Sequence, residues 1–191
     1  MDESKACCSQ PGSMLGSQPF SKILALGYYD GPTSGILQCE ACGKVLKFDL
    51  LDWDDRHDVR IFRLAEVPAE SLTEAMKILP KDKRSEARLW VPMVSSLPTE
   101  EARQTVHRKI EQILAGGKPA HLLIAWENSS ERVLAAKPIP GDELAKAADW
   151  FSEDDSSHHP DWFVLLGLSK NNRTDILKTR VTTSGQSVET R

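Results

Sequence analysis

The residues whose types and spacing best fit a chemical role are Cys39 and Cys42, in the run Cys39-Glu40-Ala41-Cys42-Gly43-Lys44. Two thiolates two residues apart in a tight turn can converge on one ion, and the glycine after them lets the backbone reverse. Zinc in a closed structural site takes four ligands, usually Cys or His, so this run supplies half a set. His57 is the next histidine along the chain and joins Cys39 and Cys42 as a candidate metal ligand. The rest of the shell is open between two sources. One is an aspartate, Asp52, Asp54 or Asp58; the other is Cys7 and Cys8, provided the N-terminal segment folds back.

The six-residue run resembles one knuckle of a zinc ribbon, but no second C-x-x-C stands in the chain to complete it. The alternative is an ordinary hairpin turn carrying two reduced cysteines. A thioredoxin-type redox pair sits where a strand enters a helix, whereas the residues after Cys42 alternate like a strand. Haem attachment needs a histidine directly after the second cysteine, and Gly43 stands there.

Three further groups invite weighing. Asp49, Asp52, Asp54, Asp55 and Asp58 cluster around Trp53, Arg56 and His57. Clustered carboxylates can hold a hard cation, but the glycine and glutamate of a calcium loop are missing here, so a solvated acidic loop is the simpler reading. Tyr28 and Tyr29 adjoin the turn Asp30-Gly31-Pro32 and suit a recognition surface, because paired aromatics bury area at small entropic cost. His158 and His159 are adjacent in a polar loop and point apart in extended chain. His107 falls on the polar side of a helix and His121 at the start of an apolar strand. Phosphate-loop, dinucleotide, nucleophile-elbow and zinc-protease motifs are all missing from the sequence. The candidate binding residues are therefore Tyr28, Tyr29, Trp53, Asp54 and Asp55, with no catalytic set.

The elements that would position these residues follow from periodicity. Residues 21–26 form a short apolar stretch, and 36–39 read as a short strand. In 45–50, Leu46, Phe48 and Leu50 face one way and Val45, Lys47 and Asp49 the other, the period of a half-buried strand. Residues 59–64 form another strand, giving an antiparallel meander with connections too short for parallel crossovers. Leu72, Ala75, Met76 and Leu79 mark a helix with Ser71 and Glu74 at capping-box spacing. The segment 89–94 reads as an edge strand because Pro92 cannot donate to a ladder. Thr99 caps a second helix with the stripe Ala102, Val106, Ile110, Ile113 and Leu114, ending at Gly116-Gly117. Residues 121–126 and 132–137 form a hairpin. Leu144, Ala147, Ala148 and Phe151 mark a third helix, and the apolar run 162–168 reads as a strand covered on both faces.

This order predicts an α+β protein: a mainly antiparallel sheet, made of the N-terminal meander, the later hairpin and the C-terminal strand, with three helices packed on it. A single domain is expected over 19–178, between polar tails at 1–18 and 179–191. The 191 residues carry 24 basic and 28 acidic side chains, a net charge of -4, which argues against nucleic-acid binding. Neither a secretory signal nor a membrane-spanning run is evident, and four cysteines are too few for a disulfide framework. The expectation is a cytoplasmic, non-catalytic binding module whose partner is another protein. The alternative is a zinc protein, structural or hydrolytic, built on Cys39 and Cys42.

Overall fold

The computed structural model describes residues 6–28, 31–78, 99–140 and 161–168. Among them, six strands form one antiparallel sheet in sequence order: β1 Phe20–Tyr28, β2 Pro32–Cys39, β3 Val45–Asp54, β4 Val59–Glu66, β5 Ala120–Glu127 and β6 Arg132–Pro138. The sheet therefore dominates an α+β architecture. Helices α1 (Ser71–Ile78) and α2 (Glu100–Leu114) lie in the connection between β4 and β5, yet these strands still pair as neighbours, Leu64 opposite Leu122.

The alternation expected for β3 holds. Leu46 and Phe48 are buried on one face with Leu50 packed against them, while Val45 enters a separate core on the other. The sheet curls around the first face. Phe20 and Ile23 of β1 share a core with Trp126 of β5 and Val133 of β6, and the Phe20 and Trp126 rings are 6.0 Å apart. Gly35 makes room for this curl: a Cβ there would sit 2.1 Å from the Leu24 carbonyl oxygen and 2.7 Å from the Phe48 ring. Phe48 in turn meets Phe62 edge-on, with ring centres 5.2 Å apart.

Helices cover the outer face. Leu72 and Ala75 of α1 and Ile110 of α2 pack against Leu24, Ile36 and Val45. Thr99 caps α2 as expected, its Oγ1 accepting from the Ala102 amide at 3.2 Å. Ser71 does not cap α1. It lies inside the helix, fully buried, with its hydroxyl directed at the Ile113 carbonyl of α2.

Two sequence expectations are corrected. The run 162–168 is not a strand. It forms a short helix, α3 (Trp162–Leu165), with Asp161 accepting from the Val164 amide at one end. At the other end Gly167, at φ 75°, lets the Gly167 and Leu168 amides reach the Val164 and Phe163 carbonyls. Trp162, Phe163 and Leu168 pack on Val59, Ile61 and Leu123, while Val164 and Leu165 are exposed. An apolar run of this length carries no period to separate helix from strand, and here the flanking Asp and Gly decide.

The second correction concerns the polar N-terminus. Residues 6–18 do not trail from the domain. They carry a 3-10 turn at Pro11–Met14, and Met14 is completely buried in the curled face of the sheet. The Gly16 amide donates to the Val133 carbonyl, and the Val133 amide to the Ser17 carbonyl, so this segment lies along β6 before entering β1. Burying one methionine side chain is worth roughly 1.5–3 kcal/mol, which together with the bonds to Val133 offsets part of the entropy of ordering this stretch. The expected edge strand at 89–94, the helix bearing Leu144 and Phe151, the His158-His159 loop and the C-terminal segment 179–191 lie outside the described residues.

Candidate metal centre

The turn between β2 and β3 carries the Cys39–Cys42 pair. The Cys39 amide donates to the Lys44 carbonyl and the Gly43 amide to the Cys39 carbonyl, both at 2.9 Å. Gly43 sits at φ 72°, where an L side chain would be strained, and so closes the turn. These bonds leave the Cys42 and Ala41 amides facing the Cys39 sulfur.

The segment that buries Met14 brings a second pair to the same place. The Gln10 amide closes back on the Cys7 carbonyl at 2.9 Å, and the Cys7 amide donates to the Ser13 hydroxyl at 2.9 Å. This loop presents Cys7 and Cys8 to the β2–β3 turn. The Cys8 amide donates to the Cys39 sulfur at 3.4 Å, and the Cys8 and Cys42 sulfurs are also 3.4 Å apart. All four Sγ atoms lie within 4.8 Å of one another. A tetrahedral zinc with Zn–S bonds of about 2.3 Å holds its sulfurs roughly 3.8 Å apart, so the four occupy the right shell. Cys8 and Cys39 are buried and belong to the main core, Cys7 is half-buried, and Cys42 is exposed.

The electrostatics ask for a cation. Burial pushes the Cys8 thiol well above its usual range, helped by its bond to Cys42 and by the nearby Cys39 sulfur. Burial also raises Cys42. At Cys39 burial acts in the same direction, but the amides of Cys8, Cys42 and Ala41 outweigh it and bring the thiol down to about 7. Without a metal, the thiolate form is favoured at Cys39 and disfavoured at Cys8 and Cys42. A divalent ion at the centre supplies the positive charge that lets all four ionise.

His57 does not join this group. It lies in the turn after β3, whereas Cys42 lies in the turn before it, and a ten-residue strand separates the two by roughly 30 Å. Its Nδ1 instead meets Asp54 Oδ2 at 3.0 Å. The same geometry removes Asp52, Asp54 and Asp58 as ligands for the cysteines. Of the two sources the sequence leaves open, the structure brings together Cys7 and Cys8. Their only signal in sequence is an adjacent cysteine pair in an otherwise polar stretch.

The candidate binding residues are dispersed. The acidic run is shorter as a loop than expected, because β3 continues through Asp52, Trp53 and Asp54. Asp54 holds the turn together, accepting from the Arg56 amide as well as facing His57. Trp53 is 48% exposed, and Asp55 is exposed beside it in sequence. Tyr28 ends β1, and Tyr29 lies outside the described residues. A cleft of about 350 Å³ between the sheet and α2 contains Asp49 and His107, but Asp49 is engaged by Lys47 and Arg63, and His107 by Glu111. Among the described residues no helix is long and apolar enough to cross a membrane.

Comparison with protein-family models, with characterised proteins and with solved structures finds no match to this chain.

Proposed function

We propose that this chain is a non-catalytic binding module whose fold is stapled by one structural zinc ion on Cys7, Cys8, Cys39 and Cys42. The observation that carries the zinc reading is the convergence of four sulfurs within 4.8 Å from two segments about thirty residues apart. Four thiolates complete a tetrahedral shell and leave no position for water or substrate, which favours a structural over a hydrolytic metal. Reduced thiols of this kind suit a reducing compartment, in keeping with a cytoplasmic protein. Elemental analysis of purified protein tests the reading: one zinc per chain is expected, lost in Cys39→Ser. Folded protein that is isolated without zinc and takes up none when zinc is added overturns it.

The binding role rests on the tip of the β3–β4 hairpin, where Trp53 and Asp55, two residues apart, are both exposed. An exposed indole and an exposed carboxylate on one hairpin tip suit a basic segment of a partner protein, through cation–π contact and charge steering. Titration with a lysine-rich peptide at low ionic strength should perturb Trp53 fluorescence, and Asp55→Lys should weaken that binding several-fold. Equal binding by Asp55→Lys and Trp53→Ala overturns the assignment of this surface.

A further inference from the structure

The four sulfurs are not equivalent. The 3.4 Å contact is between Cys8 and Cys42, on different segments. Cys42 is exposed at the turn and open to a small solute, while Cys8 is buried behind it. A disulfide needs its sulfurs about 2.0 Å apart, so joining these two takes a side-chain adjustment of roughly 1.4 Å. The cross-link would connect the same two segments that the metal connects, and Met14 and the pairing with Val133 would stay in place.

We propose that Cys42 is a peroxide-modification site with Cys8 as its resolving thiol, so that oxidation exchanges the zinc staple for a Cys8–Cys42 disulfide. This rests on the zinc reading above. The Cys42 thiolate attacks one oxygen of hydrogen peroxide, the O–O bond breaks, and the sulfur becomes a sulfenic acid as the other oxygen leaves as water after taking a proton. The Cys8 thiolate then attacks the Cys42 sulfur, the S–O bond breaks, and a second water departs with a second proton. The two sulfurs together lose two electrons, and peroxide gains them. Zinc keeps only Cys7 and Cys39, dissociates as the divalent ion, and these two thiolates each take up a proton.

Tryptic cleavage after Lys5, Lys22 and Lys44 separates the two cysteine pairs into peptides 6–22 and 23–44, which makes the linkage readable. Zinc content of the full-length protein is first measured by elemental analysis. Hydrogen peroxide is then added, zinc release is followed with a chromogenic chelator, and the disulfides are mapped by mass spectrometry. The expected result is release of one zinc per chain and a cross-link joining the two peptides through Cys8 and Cys42, kept in Cys7→Ser and lost in Cys8→Ser. Zinc absent from the starting protein, and not taken up when added, overturns the zinc reading and the exchange together. Zinc present but retained after oxidation, or cross-links confined within one peptide, overturns the exchange and leaves the zinc reading standing.

Discussion

The backbone amide of Cys8 donates to the sulfur of Cys39, 3.4 Å away, although 31 positions of chain separate the two residues. That bond crosses the junction between the N-terminal segment and the β2–β3 turn. It ties the chemistry of the cysteines to the packing of the segment, because the loop that aims Cys8 also delivers Met14 to the core. On the zinc reading proposed above, metal binding and docking of the segment are coupled, and each can be probed through the other.

Removing the metal should loosen the fold without abolishing it, since most of the core is built from the sheet and its helices. With free zinc a thousandfold above its dissociation constant, binding contributes about 4 kcal/mol. Chelator, or Cys8→Ser, should lower unfolding stability by up to that amount in urea titrations. Identical curves with and without chelator would show that the segment docks without metal.

Met14→Ala removes a fully buried, non-ligating side chain from the same core cluster as Cys8. A loss of about 2–5 kcal/mol is expected in chemical unfolding. Because docking and metal binding are coupled, the variant should also give up zinc to a competing chelator at lower concentrations than the wild type. Unchanged stability would mean that Met14 is not in the core.

Two glycines should respond to alanine for different reasons. At Gly35 the new Cβ runs into the Leu24 carbonyl and the Phe48 ring, so thermal stability should fall by at least about 1–3 kcal/mol. At Gly43 there is open space, and the cost is only the left-handed backbone, about 1–2 kcal/mol. That smaller cost should appear mainly as weaker zinc binding, since the strain is in the turn that aims Cys42.

Glu66 receives the ammonium groups of Lys118 at 2.7 Å and Lys44 at 2.9 Å. First Lys118 and then Lys44 hold its carboxyl down at about 2, from an ordinary value of 4.5. A depressed carboxylate stabilises the fold above pH 4.5, and that contribution fades as pH falls towards 2. Both lysines are largely in solvent, so the effect should be no more than about 1 kcal/mol. Glu66→Gln should be less stable than wild type above pH 4.5, and the two should converge at lower pH in parallel denaturation series. A constant gap across that range would show that the carboxylate charge is not responsible.

Strands β2 to β6 were legible in the sequence because their signals are local, whereas β1 stood there only as a short apolar stretch. The alternation of Leu46, Phe48 and Leu50, and the Thr99 cap with its apolar stripe, each depend on neighbours a few residues away. The apolar run from Trp162 was misleading for the same reason: it has no period, and its helical turn is set by an aspartate and a glycine at its ends. The Cys39–Cys42 turn could be read as half of a metal site from spacing alone. Its other half could not, because Cys7 and Cys8 reach it only when the sheet curls, Met14 enters the core, and residues 16 and 17 lie along β6. His57 is nearer than Cys8 to Cys42 in sequence yet stands at the far end of β3, since an extended strand carries residues apart at over 3 Å each. Sequence by itself determined the ligand type and one pair; the tertiary curl decided which residues meet, because that depends on contacts between segments rather than on spacing within one.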